Sequence, residues 1–166
     1  MIILQTARLI VRHFTVDDLP GFHRLSSDEN VMKFIGPVIT LAGCKVILED
    51  IISAYSSNAF SGRFAVTARG TDSYAGNFLL RNAWDGSGTE VGFALFQAEQ
   101  GKGYATELTT QGCTMAFAQL QATRVFGTVD SRNLASIHVL EKCGFNRGAV
   151  YTDNGRELVC CELLKK

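Results

Sequence analysis

The stretch Ala98-Glu99-Gln100-Gly101-Lys102-Gly103-Tyr104-Ala105 sets the fold expected of this chain. It follows a strand-like run, Thr89 to Leu95, and opens a segment, Tyr104 to Leu120, in which Ala105, Leu108, Gly112 and Met115 share one helical face. Two glycines at a strand-to-helix junction leave the first-turn N–H groups without intrahelical partners, all aimed at one spot. Without β-carbons a phosphate can approach those donors closely, and the helix dipole adds roughly half a positive charge. Such a loop suits a diphosphate without needing a cluster of lysines. A plain turn would also accept two glycines. Other phosphate loops fit poorly: a Rossmann fingerprint needs a small residue where Thr106 stands, and a Walker A loop needs Ser or Thr after the lysine, where Gly103 stands.

Upstream lie three strand-like runs, Arg63 to Arg69, Tyr74 to Asn82 and Thr89 to Leu95. The turn clusters Gly70-Thr71-Asp72-Ser73 and Asp85-Gly86-Ser87-Gly88 separate them and predict an antiparallel meander. Before these, Leu9 to His13 reads as a strand. Thr15 and Asp18 resemble a capping box for a helix running to about Ser26, with Leu19, Phe22 and Leu25 inward. Thr40 caps a second helix carrying the stripe Cys44, Ile47, Leu48, Ile51 and Tyr55. Downstream, Arg124 to Val129 is a strand, Ala135 to Lys142 a helix ended by Gly144, and the tail folds as two strands around Asp153-Asn154-Gly155. The expected fold is α/β in composition (α+β): a mixed, mostly antiparallel seven-stranded sheet flanked by four helices, in one domain spanning residues 1–166. Its parallel unit covers residues 89 to 129, and the glycine loop sits at the carboxyl end of the first strand, where open α/β sheets bind ligands.

Composition excludes several classes. Lys plus Arg (16) balances Asp plus Glu (16) and no basic stripe appears, so no nucleic-acid partner is expected. Five cysteines without CxxC spacing predict reduced core thiols rather than a disulfide framework. The apolar start, Met1 to Leu4, is too short for a signal or a membrane span, which predicts a soluble, cytoplasmic protein with no membrane partner. His13, His23 and His138 lack metal-ligand spacing, so no metal is expected. No nucleophile elbow is present, which favours direct transfer over a covalent enzyme intermediate. Trp84, beside Asp85-Gly86, is expected to shield a turn.

A second motif lies some thirty residues after the loop: Asn133-Leu134-Ala135-Ser136-Ile137-His138-Val139-Leu140-Glu141-Lys142-Cys143-Gly144-Phe145. Together with Gln100-Gly101-Lys102-Gly103-Tyr104-Ala105-Thr106-Glu107, it resembles the GNAT superfamily of N-acetyltransferases, in a branch similar to ribosomal-protein alanine N-acetyltransferases. The opening Leu4-Gln5-Thr6-Ala7-Arg8-Leu9-Ile10-Val11-Arg12 and the strand Glu90-Val91-Gly92-Phe93 resemble that branch too. The resemblance covers nearly the whole chain.

It implies an acetyl-CoA cosubstrate bound in a splay between the strand ending near Leu95 and the strand at Arg124 to Val129. Pantetheine would run along Phe93, Ala94 and Leu95. The diphosphate would rest on the amides of Gly101, Lys102, Gly103, Tyr104 and Ala105, with Gln100 and Thr106 at the ends of the cradle. Asn133 would touch the pantetheine arm, although Asn is also a favoured helix N-cap and both roles can coexist. Glu90 matches in place an acid that serves as general base in some members; a structural strand-end carboxylate is the alternative. The tyrosine many relatives use as acid is replaced by Leu140, leaving Ser136 as the candidate acid and Tyr151 as a fallback. A further departure is Ala98, where the superfamily often has Gln or Arg. These departures keep a non-catalytic acyl-CoA sensor open as the rival. The acceptor is an amine, on a small molecule or a protein N-terminus, in a pocket walled by residues 31 to 40 and 152 to 157. The resemblance fits a monomer or a homodimer.

Overall fold

The strand runs pair into one eight-stranded sheet with the spatial order β1-β2-β3-β4-β5-β6-β8-β7. These positions come from a computed structural model that describes residues 1–165. The strands are β1 (Ile2–Gln5), β2 (Leu9–Arg12), β3 (Gly62–Ala68), β4 (Tyr74–Asn82), β5 (Thr89–Leu95), β6 (Arg124–Asp130), β7 (Asn146–Asp153) and β8 (Arg156–Leu164). All neighbours are antiparallel except β5 with β6. The helices are α1 (Leu19–Ser26), α2 (Glu29–Met32), α3 (Leu41–Ala54), α4 (Tyr104–Ala118) and α5 (Leu134–Lys142).

The fold class agrees with expectation, and the counts are corrected from seven strands to eight and from four helices to five. The added strand, β1, is the apolar start that four residues leave too short to show alternation; pairing with β2 gives it structure. The added helix, α2, is one turn with no period to read. Asp28 organises it by accepting from the N–H groups of Asn30 (2.9 Å) and Val31 (3.3 Å). Trp84 is a second correction. It is 98% exposed at the β4–β5 turn and shields nothing.

Side chains alternate across the sheet and build two layers. On one face α4 and α5 cover Val66, Phe78, Leu80, Val91, Val125 and Val159. Gly112 allows this approach, because a β-carbon there would stand 2.5 Å from the Phe78 ring; close packing accounts for a glycine in mid-helix. On the other face α1 and α3 bury Phe14, Phe22, Cys44 and Leu48 against Ala65. All five cysteines are free thiols, and Cys44, Cys113 and Cys161 are buried.

Entry into α1 depends on Asp18. Its carboxylate accepts from the Thr15 N–H at 2.8 Å and takes a two-point contact from Arg12, both at 2.7 Å. Burial works to raise the carboxyl pKa, but the Arg12 hydrogen bonds and the Thr15 N–H outweigh it and hold Asp18 below its ordinary value. A carboxyl depressed in the folded state contributes stability above its unfolded pKa, near 4, that is lost as pH falls through the folded value. Asp18→Asn is therefore expected to lose about 3 kcal/mol at pH 7, because Arg12 is left without its partner. Urea unfolding followed from pH 7 to pH 3 should show the gap to the parent protein closing below pH 4.

Candidate active site

The one parallel pair carries the main irregularity of the sheet. β5 and β6 are in register only at Thr89 with Val125 and Glu90 with Phe126. Beyond those pairs both strands continue without a ladder, so the sheet opens into a fork. Two hydrogen bonds bracket β5 and fix its alternation: Ala83 N–H to Gly88 O at 2.8 Å, and Phe96 N–H to Ala75 O at 3.1 Å. Glu90, Gly92 and Ala94 therefore turn their main-chain groups toward β4, while Phe93 and Leu95 turn theirs into the fork. The main-chain groups of Phe93 and the Leu95 N–H on that edge are thus open to a ligand, while the Leu95 carbonyl is taken by Gln100.

At the mouth of the fork lies the glycine loop. Gly101 (φ 73°) and Gly103 (φ 83°) both occupy the left-handed region, which explains why glycine stands at each. Among the described residues, no N–H from Gly101 to Thr106 donates to a protein acceptor. The side chains look elsewhere. Lys102 Nζ pairs with Glu99 Oε2 at 2.9 Å, and Gln100 Nε2 folds back onto the Leu95 carbonyl at 3.0 Å. Both shape the loop, and the cradle itself is made of main-chain N–H groups. A cavity of about 410 Å³ runs from this loop to Asn133 and Ser136, taking in Phe93, Ala94, Leu95, Tyr104, Ala105 and Thr106. His138 and Lys142, on α5, also line it and were not expected from the sequence.

A second cavity, about 470 Å³, opens on the sheet face under α1 and α2. It shares Phe93, Ala94, Asn133 and Ser136 with the first, so the two meet at the fork. Asn133 does cap α5, its Oδ1 accepting from the Ser136 N–H at 3.2 Å, and its Nδ2 has no protein partner among the described residues. Ser136 stands in the first turn of α5, facing both cavities. Glu90 lies deeper in the second cavity, where Arg81 places Nε and a terminal nitrogen each 2.8 Å from Oε2. Tyr151 lines neither cavity and sits 43% exposed on β7.

Several residues of the second cavity escaped the sequence. Arg63, Asn77 and Arg81 form its floor, and Asp130 stands on its far wall beside Arg156, which falls in the expected span 152 to 157. Asp130 is buried between Arg132, with Nε and a terminal nitrogen each at 2.9 Å, and Arg156 at 3.6 Å. The Arg132 contacts, with Arg156 behind them, hold its carboxyl well below the usual carboxylate range. Arg156 also donates to the carbonyls of Phe34 (2.7 Å) and Ile35 (3.2 Å), tying β8 to the α2–α3 connection. Met32, Phe34, Ile35 and Ile39 complete that wall, as the span 31 to 40 predicted. Arg63 shares a face with Ala65 on β3, as Arg81 does with Asn77 on β4, but strand parity alone does not say which face lines a pocket.

Residues 8–146 match the family model described as an acetyltransferase (GNAT) domain. The chain belongs to this GNAT acetyltransferase family. This GNAT protein is an acetyl-CoA-dependent acyltransferase. It is 26% identical to the uncharacterized N-acetyltransferase YnaD of Bacillus subtilis, over 87% of this chain and 82% of that one. Among solved structures it is similar to a GNAT-family acetyltransferase from Bacillus anthracis, with a TM-score of 0.86, 23% identity, and 99% and 98% of the two chains covered. It is also similar to the spermidine N-acetyltransferase of Vibrio cholerae, solved with CoA and spermine, with a TM-score of 0.77, 22% identity, and 94% and 95% covered. Among the described residues of the GNAT chain, no group of three or more His, Cys, Asp and Glu is arranged to hold a metal ion, and no helix is long and apolar enough to cross a membrane.

Proposed function

We propose that this acetyltransferase moves an acetyl group from acetyl-CoA to a primary amine by direct attack, both substrates being bound together. The observation that carries the proposal is the meeting of two cavities at the forked strands, one beginning at unpartnered amides and the other lined with charge. Acetyl-CoA supplies the activated thioester. The N–H groups of Gly101 to Ala105 hold its diphosphate, and the exposed edge at Phe93 and Leu95 with Asn133 Nδ2 orients the arm. An N–H of that edge stabilises negative charge on the thioester oxygen, an interaction worth about 3 kcal/mol in comparable acyl transfers.

Glu90 takes a proton from the acceptor ammonium, freeing the nitrogen lone pair for attack, with the carboxylate oxygen that Arg81 does not engage. Asp130 is the poorer base, since its arginines hold it in the ionised form too firmly to accept a proton near neutrality. As the N–C bond forms and the C–S bond breaks, Ser136 delivers a proton to the departing sulfur, and the extra proton left on the new amide nitrogen passes through water to restore the Ser136 hydroxyl. The acceptor is a small molecule or a protein N-terminus entering past Phe34 and Ile35.

Acetyl-CoA at about 100 times its Kd is expected to stabilise the protein by about 2.7 kcal/mol, raising Tm by roughly 5–10 °C. Thiol release with a panel of amines then separates an enzyme from a sensor. Stabilisation without release for any acceptor would assign the chain to acyl-CoA sensing, and no stabilisation at all would remove the coenzyme from the account.

A further inference from the structure

The second cavity contains a charge that the chain itself does not use. Arg63 lines it from β3, and among the described residues its guanidinium makes no ion pair and no hydrogen bond. The other cavity arginines differ: Arg81 is taken by Glu90, and Arg156 by Asp130 and two carbonyls. Burial, and then the neighbouring Arg81, push the Arg63 pKa down, which marks an unfavourable position for a positive charge. Arginine stays protonated regardless, and a desolvated, unpaired cation works against folding. Ala65, on the same face two residues along, is a buried core position.

A second group points the same way. The Tyr74 hydroxyl donates to Asn77 Oδ1, so the Asn77 amide presents N–H groups rather than oxygen to the cavity. The cavity thus offers donors from Arg63 and Asn77. Its carboxylates, Glu90 and Asp130, are both already engaged by arginines. Three arginines against two carboxylates leave one positive charge over. This balance repels a polyamine and attracts an anion. β4 separates β3 from β5, and Arg63 is level with Leu79 while Glu90 is level with Arg81, so their backbones stand roughly 12 Å apart on the same face of the sheet.

We infer that the acceptor carries a carboxylate a few bonds from its amine, as an amino acid does, with Arg63 and Asn77 gripping the carboxylate while the amine lies toward Glu90 and the fork. Guanidinium and carboxylate match as a two-point pair, which fixes the orientation of the acceptor as well as its charge. This rests on the acetyl-transfer assignment above.

The test compares standard amino acids with their amides, their decarboxylated amines and spermidine. Thiol release is one readout, and the Tm shift of protein saturated with coenzyme A is the other. At least one amino acid should exceed its own amide by about 10–100-fold in kcat/KM, and Arg63→Met should erase that preference. Arg63→Met should also melt no lower than the parent protein and keep its response to acetyl-CoA, which a merely structural arginine would not allow. Arg63→Lys should recover only part of the preference. Best activity on amines without a carboxylate, or a preference that survives Arg63→Met, overturns the inference. Thiol release absent for every amine overturns acetyl transfer instead, and the carboxylate-dependent Tm shift still decides Arg63. Equal responses to acids and amides in both readouts also overturn it.

Discussion

Gly103→Val is expected to weaken acetyl-CoA binding by about 100-fold or more while the chain still folds. Gly103 caps α4 at φ 83°, a conformation in which a β-branched residue is strained by about 1–3 kcal/mol. Relieving that strain turns the adjoining peptide planes, and the N–H groups of Gly103 and Tyr104 leave the point where they converge. The new side chain also begins 3.4 Å from a guanidinium nitrogen of Arg8, which bonds Glu107 and covers the Tyr104 ring at 4.7 Å. A hydrogen bond to a charged group is worth about 1.5–3 kcal/mol, so losing two from a diphosphate costs a factor of roughly 10²–10⁴. Gly86→Val is the control. Gly86 has φ 73° at the β4–β5 turn with open space around it, so valine there carries the same strain far from the fork. Calorimetric titration with acetyl-CoA should leave the Kd of Gly86→Val unchanged and displace that of Gly103→Val. A shift below tenfold in Gly103→Val would mean that the loop is not the diphosphate cradle.

The contrast between the two cavities shows what a sequence discloses. The proposed coenzyme cradle is local: strand, two glycines and helix start are contiguous, and the cause of their conformation lies in the residues themselves. Gly101, Gly103 and the Asn133 cap were legible for that reason, as were the long elements with strong periods, such as α3 and β3 to β5. The side chains of Gln100 and Lys102 were not, since their partners, Leu95 O and Glu99, depend on how the loop folds back. The proposed acceptor cavity is assembled from β3, β4, β5, β6, β8 and the α2–α3 connection, residues far apart in the chain. Arg63 and Arg81 sit within runs that alternate well enough to be read as strands, and nothing in either run tells which face becomes a pocket and which a solvated surface. Only the register Arg81 with Glu90, and of Arg63 with Leu79 beside it, gathers these charges. β1 and α2 were missed for a different reason, because four-residue elements are stabilised by their neighbours rather than by pattern.

Glu90→Gln is expected to lower kcat/KM by about 10²–10⁴, the range associated with a positioned acid or base. Glutamine keeps the length of the side chain and can still accept from Arg81, so the acceptor cavity retains its shape. What it cannot do is take a proton from an ammonium. Arg81 is 59% exposed, and loss of its full ion pair should alter stability by no more than about 1 kcal/mol. The variant should therefore show the parent Tm within a few degrees and the parent acetyl-CoA shift, which separates chemistry from folding and from coenzyme binding. A loss confined to kcat, with the Kd for acetyl-CoA unchanged, assigns the effect to proton removal. Asp130 offers no substitute, as its carboxylate is already committed to Arg132 and Arg156. A variant that kept more than a tenth of the parent kcat would transfer proton removal to solvent and leave Glu90 as the partner that holds Arg81 in place.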